Sequence, residues 1–440
     1  MISLFRHAND LIRRGCKAFL CCMLIASIFI GFSYEMDIFA KENAAERIAE
    51  QENDEKEFRG VWIAYYDFTD SCELSATGFT DYVDEMFDNV VSFGMNAVMV
   101  HVRPFGDAMY KSAYFPWSSY ASGKQGVNPG YDPLKIMVQE AHERGLEIHA
   151  WINPYRVSTS WNYGTDVTKL SKKNKARKWL TNSKTSDDRY VLECGGALYY
   201  NPSIATVRKL IVNGVKEIIE NYDVDGIHFD DYFYPELGSD YENNFDAPEY
   251  KTYKDKRKAA GKTALSIVEW RKSNVNTLVR AVYKAVKETD PNVIFGISPG
   301  GFIDYFDEEK DRWYVDYRTW MSDEGYIDYI CPQLYWSFNS KNIFPFYETL
   351  LKWNSAAKNE NVRVYAGLPA YKMNDDVNVS SLYKNIDTEW YNQFLLADMV
   401  RYMRLSERAS GFIVFDYSDL ITVKNKTATA NLKNEILREN

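Results

Sequence analysis

The stretch VDGIHFDDYFYP, residues 224–235, decides how the rest of this 440-residue chain is read. Its apolar run GIHF has the Ile and Phe content of a strand, and it leads straight into Asp230, Asp231 and an aromatic cluster. Barrels of parallel strands carry their working groups where strands end and loops begin. Two adjacent carboxyls beside aromatic rings suit the cleavage of a glycosidic bond. Successive side chains on a strand point to opposite faces, so only one of the two aspartates shares the pore-facing row with His228. The other has to turn into a site as the strand ends.

Working outward, seven more short apolar runs occur, at residues 60–66, 97–102, 146–152, 293–298, 329–334, 362–368 and 411–415. Several are apolar on both faces, as strands of a buried parallel sheet are. Helical stripes separate them. Phe79, Val83, Met86, Phe87 and Val90 form one, and Val275, Leu278, Val279, Val282 and Val286 another. Eight strands alternating with helices predict a single (β/α)8 TIM barrel. The links orient it: helix-to-strand connections such as 92–96 and 144–146 are tight. Strand-to-helix connections (103–131, 153–195, 232–266) are long, as on a barrel's working face. A doubly wound open sheet would place a glycine-rich phosphate turn after its first strand, and residues 60–67 contain none.

A net charge of −10 argues against a nucleic-acid scaffold, which needs clustered Lys and Arg. The 33 Tyr and 11 Trp serve core packing as well as sugar stacking, so their abundance alone decides nothing. At the amino end, Arg13, Arg14 and Lys17 precede an apolar run over 18–32, and Ala40 is a small residue placed for cleavage. This is the layout of a secretory signal; an uncleaved membrane tether through residues 18–32 is the alternative. The expected organisation is a signal or anchor over 1–40, a charged linker over 41–57 and one catalytic domain over 58–440. Beyond the signal stand only Cys72, Cys194 and Cys331, which make no disulfide framework. Cys331 reads as a core thiol, and a Cys72–Cys194 bond is left open.

Seven motifs now stand in order: RGVW (59–62), VRPFGDAMY (102–110), NPGYDPL (128–134), HAWINPYRV (149–157), DGIHFDDYFYP (225–235), FGISPGG (295–301) and DYICPQLYW (328–336). Together they resemble the glycosyl-hydrolase-like family 10 domain, from about residue 58 to at least residue 368. The resemblance implies a TIM-barrel hydrolase of the cell envelope, similar to glycosidases that act on peptide-free peptidoglycan strands. The segment 225–235 is also similar to the chitinase signature, in which a Glu ends an Asp-rich run. Tyr232 stands at that place here.

The candidate catalytic residues are therefore Asp230 and Asp231, one orienting a substrate acetamido group and the other protonating the leaving oxygen. The competing reading has one of them capping the next segment or pairing with Arg103. Candidate substrate contacts are Arg103, His149, Trp151, Asn153, Arg156, His228, Tyr232, Gln333, Tyr335 and Trp336, with Trp151 alternatively filling the barrel. Asp67, Asp107 and Asp416 follow strand ends and read as loop caps before they read as a second acid. His101, His149 and His228 lie inside strands and are expected to form a hydrogen-bonded layer, not a metal site. No metal or cofactor is expected. The partner is a polysaccharide, not nucleic acid, and the oligomeric state is not indicated. The function expected is an exported cell-wall glycan hydrolase. A metal-dependent hydrolase on the same barrel and a noncatalytic carbohydrate-binding barrel are the alternatives.

Overall fold

Alternation of apolar side chains between two faces builds ten strands among the described residues: β1 (Phe58–Ile63), β2 (Ala97–Arg103), β3 (Glu147–Ile152), β4 (Val191–Cys194), β5 (Ala197–Tyr200), β6 (Gly226–Phe229), β7 (Ile294–Ile297), β8 (Tyr329–Ile330), β9 (Arg363–Pro369) and β10 (Ala409–Phe415). The computed structural model describes residues 57–239, 242–306, 313–340, 344–373, 388–422 and 426–438. The expected export segment 1–40 lies outside the described residues, as does the linker up to residue 56. Eight strands close into a parallel barrel in the order β1-β10-β9-β8-β7-β6-β3-β2. All eight runs expected from the sequence take part, and the fold is the expected TIM barrel.

The two faces of these strands feed two cores. Outward residues such as Val61, Val98, Val100, Ile148, Ile227, Phe295 and Val414 are buried against the helices. The helix Ala76–Ser92 meets them with Phe79, Val83, Met86, Phe87 and Val90, and the helix Ile267–Thr289 with Val275, Leu278, Val279, Val282 and Val286. Each fully buried side chain of this size contributes roughly 1.5–3 kcal/mol of transfer free energy. Inward residues Phe58, Trp62, Met99, Trp151, Tyr329, Tyr365 and Ile413 fill the barrel. They fit because small residues face large ones in register. Gly226 pairs with His149, where an added Cβ would lie 2.5 Å from the ring, and Gly296 pairs with Tyr329, where it would lie 2.1 Å away.

A polar chain crosses this interior. Trp62 Nε1 donates to His228 Nε2 (3.0 Å), His228 Nδ1 lies 2.8 Å from Tyr329 Oη, and the same hydroxyl lies 3.0 Å from His149 Nδ1. Burial holds the His228 pKa well below its ordinary value, so the ring is neutral. An indole N–H only donates. His228 Nε2 therefore accepts, its proton sits on Nδ1, and Tyr329 Oη passes its own hydrogen on to His149. The assignment follows from the network. The expected histidine layer thus comprises His149 and His228, while His101 instead stacks on Trp151 at 3.7 Å between centroids.

Outside the barrel, β4 and β5 form an antiparallel hairpin between β3 and β6. Gly195 and Gly196 turn it with φ of 58° and 77°, the positive values that a two-residue type I′ turn needs at both positions. The hairpin docks on the segment after β3: Val157 N and Ser158 N donate to Leu198 O, and Arg156 bridges to Tyr199.

Candidate active site

The carboxyl ends of the strands enclose a cleft of about 240 Å³, just below the roughly 300–1,000 Å³ usual for ligand pockets. Trp62, Trp151, His101 and Phe415 line its apolar part, and Tyr65, Tyr66, Tyr232 and Tyr335 add further rings. The polar groups facing in are Asp230, Asp231, Arg156, Gln333 and Ser298.

Asp230 follows the last residue of β6 and keeps the inward parity of His228. It is 4 % exposed. Its Oδ2 accepts from Trp151 Nε1 (3.0 Å) and Asn153 Nδ2 (3.4 Å), and its Oδ1 from the Tyr232 backbone N–H (3.2 Å). Two carboxylate oxygens offer about four lone-pair sites, so one remains for a ligand. Burial, then the neighbouring Asp231 charge, pushes the Asp230 carboxyl up to about 7, against the pull of Arg156. Asp231 has the wrong parity for the barrel interior, but β6 has already ended, and the turning chain brings its half-buried carboxyl to the same cleft. Burial raises it as well, opposed by hydrogen bonds from its own backbone N–H and from the Gln333 side chain, and by Arg156. Gln333 also donates Nε2 to Ser298 O at 3.3 Å.

Among the described residues, Arg156 is the cation that lines the cleft. Asn153 Oδ1 accepts its backbone N–H at 3.2 Å, and its Nε donates to Pro104 O at 3.2 Å. Its guanidinium lies 4.6 Å over the Tyr232 ring and 5.0 Å from the Phe105 centroid. These contacts fix a charge that desolvation would otherwise disfavour.

Of the residues expected to touch a ligand, Trp151, Arg156, Tyr232, Gln333 and Tyr335 line the cleft with both aspartates. Asn153 and His228 stand one layer behind, the first holding Asp230 and the second holding Trp62. Arg103, His149 and Trp336 are not brought to it. Between His101 and Arg103 the β2 register slips, so that Arg103 pairs with outward-facing Ile152. Its guanidinium is buried 4.4 Å over Phe115, within electrostatic reach of the Glu217 and Asp107 carboxyls. Arg156 stands beside the aspartates, where the competing reading placed Arg103. His149 lies two residues deeper, against Gly226 and Tyr329. Trp336 belongs to a separate ring cluster, 5.1 Å from both Phe302 and Phe344.

The other carboxylates are engaged elsewhere. Asp107 is fully buried and accepts from Gln125 Nε2 at 2.8 Å. Asp416 caps the short helix Tyr417–Ile421, accepting Asp419 N at 3.2 Å, and takes the Tyr66 hydroxyl. Asp67 accepts Ala64 N at 2.7 Å, and burial with the Asp416 charge pushes it up to about 7. None of the three lines the cleft. Cys72 and Cys194 are both free thiols, so the pairing left open by the sequence is not made. Among the described residues, no three His, Cys, Asp or Glu side chains group so as to hold a metal ion.

Sequence reasoning passed over Trp62, Tyr65, Tyr66, Ser298 and Phe415 as cleft residues. Parity carries a signal for Trp62 and Ser298, which share inward rows with Gly60 and Gly296. Tyr65 and Tyr66 sit on a 3-10 turn after β1, where no period applies.

A family model described as glycosyl hydrolase-like 10 matches residues 57–385. Glycosyl hydrolase YngK of Bacillus subtilis (strain 168) is 37% identical over 387 residues, covering 83% of this chain and 69% of that protein. Glycosyl hydrolase DigH of Escherichia coli (strain K12) is 32% identical over 392 residues, covering 81% and 82%. Among solved structures, the catalytic domain of β-amylase from Paenibacillus polymyxa superposes with a TM-score of 0.53 at 12% identity, over 87% of this chain and 99% of that one. The PgaB (BpsB) glycoside hydrolase domain from Bordetella bronchiseptica gives 0.52 at 13% identity, over 87% and 100%. At such identities the structural likeness is one of fold.

Proposed function

The chain belongs to the glycosyl hydrolase-like 10 family and is a glycoside hydrolase on a TIM barrel; from that premise we propose that it is exported and cleaves N-acetylhexosamine chains of the bacterial wall, namely peptide-free peptidoglycan strands. The observation that carries the reading is the opening of two adjacent carboxyls, Asp230 and Asp231, into one ring-lined cleft. Among the described residues one cation, Arg156, lines the cleft; it is engaged by Pro104 O and two rings and lies near the aspartates, which suits an uncharged sugar better than an acidic polymer. The family likeness supports the wall glycan, and the apolar run over 18–32 supports export.

Hydrogen bonding divides the work between the two carboxyls. Asp230 already accepts three N–H groups, an arrangement that favours its charged form, and it offers its remaining lone pair to an acetamido N–H. Asp231, more open to solvent and held by the Gln333 side chain, has its carboxyl raised by burial and is the acid of the pair. As Asp231 protonates the leaving oxygen, the C1–O bond breaks and the acetamido carbonyl oxygen bonds to C1. Water then opens that ring, giving a proton back to Asp231. Trp151 and Asn153 hold Asp230 in place, and the aromatic walls exclude water from the developing charge.

Digestion of peptide-stripped and intact wall sacculi, with mass spectrometry of the released fragments, tests the substrate. Fragments are expected from the stripped sacculi; no release from them would sink the wall-glycan reading. N-terminal sequencing of the protein recovered outside the cytoplasm tests export, and finding the whole protein in the cytosol would refute it.

A further inference from the structure

Among the described residues, Trp161 is the most exposed large apolar side chain near the cleft, at 66 %. It sits on the long connection after β3, on a tightly tied turn. Thr159 and Asn162 exchange backbone hydrogen bonds, Gly164 N donates to Thr159 O, and Ser158 Oγ donates to Gly164 O at 2.6 Å. Tyr163 holds a φ of 67°, the left-handed region that a non-glycine residue enters at a cost. A rigid turn that presents a bare indole has no packing explanation, because the ring leaves most of its surface to water. One face of it lies nearly parallel to Tyr65, at 6.2 Å and 19°, and Phe105 meets it edge-on at 6.4 Å. Tyr65 lines the cleft, and Phe105 lies under the Arg156 guanidinium. The indole therefore continues the cleft's aromatic lining outward, past the arginine that adjoins the carboxyls.

The cleft itself has room for little more than one sugar ring. We propose that Trp161 is the platform for a further sugar of the same chain, so that the enzyme selects polymeric glycan over short fragments by stacking a ring outside the catalytic cleft. This rests on the glycosidase reading above and adds a specificity-determining residue to it. The apolar C–H face of a pyranose covers an indole without displacing hydrogen bonds from the sugar's equatorial hydroxyls. A fixed platform also loses little side-chain entropy on binding.

The test measures kcat and KM of the full chain on soluble peptide-free glycan oligomers of increasing length. For Trp161→Ala, KM on the long oligomers is expected to rise roughly tenfold, the size of one aromatic contact. The shortest cleaved oligomer is expected to change far less, and Trp161→Tyr should restore most of the loss. Because the ring is exposed, neither substitution threatens folding. If Trp161→Ala matches the wild type at every length, the platform is refuted while the glycosidase reading stands. If the wild type cleaves no oligomer of any length, both fall together.

Discussion

Replacing Asp230 with Asn removes one ionisable group from the cleft while keeping its shape, and the pH dependence of stability then reports its burial. The folded Asp230 carboxyl is pushed up to about 7 from an ordinary 3.8. A raised carboxyl binds its proton more tightly in the folded state, so its contribution to stability is complete below the unfolded value and is lost as pH rises through about 7. Each pH unit inside that window costs about 1.4 kcal/mol per proton. From about pH 5 to pH 7 the wild type should lose up to roughly 3 kcal/mol, reduced to the extent that Asp231 shares the proton. Asn brings its own penalty, because one of its N–H groups must face Trp151, Asn153 or Tyr232, all of which donate. That penalty does not depend on pH and cancels in a comparison. Urea unfolding of both proteins at several pH values is the assay. The variant should gain on the wild type by about 1–3 kcal/mol between pH 5 and 7, while its turnover falls by about 10³-fold. Parallel stability curves would refute the buried, proton-sharing pair.

Asp231→Asn should lower turnover of natural glycan by about 10³–10⁴-fold, yet cost far less on a nitrophenyl glycoside whose leaving group needs no proton; equal losses on both would remove Asp231 as the acid. Arg156→Gln deletes the charge that lowers both aspartates, so the basic limb of kcat/KM should move upward by up to about one pH unit, and an unmoved limb would contradict the assignment. Gly296→Ala forces a Cβ to within 2.1 Å of the Tyr329 ring and should cost about 3 kcal/mol or more in denaturant unfolding. A loss below about 0.5 kcal/mol would mean that the inward register is wrong.

The barrel was legible because its strands obey a period of two on both faces and its helices keep their apolar stripes. Asp230 was legible for the same reason, since it continues the inward row of His228 and, across the register, stands beside Trp151 and Asn153. Reasoning by period failed where the period itself breaks. The slipped register at His101 and Arg103 turned an expected cleft arginine into a buried one, and nothing in the residues VHVR signals it. Trp336 failed for another reason: Gly301, distant in sequence, opens the space that its ring occupies. Trp161 and the paired tyrosines lie on turns, where only three-dimensional neighbours decide exposure. The hairpin β4–β5 did carry a signal in its adjacent glycines, the usual signature of a two-residue turn.

The bridge between Arg156 and Tyr199 has an evolutionary corollary. The arginine that lowers the paired aspartates is braced by an excursion of the chain and not by a stave of the cylinder. Swapping or reshaping that excursion would retune the working pH of a relative while leaving the cylinder's own sequence untouched.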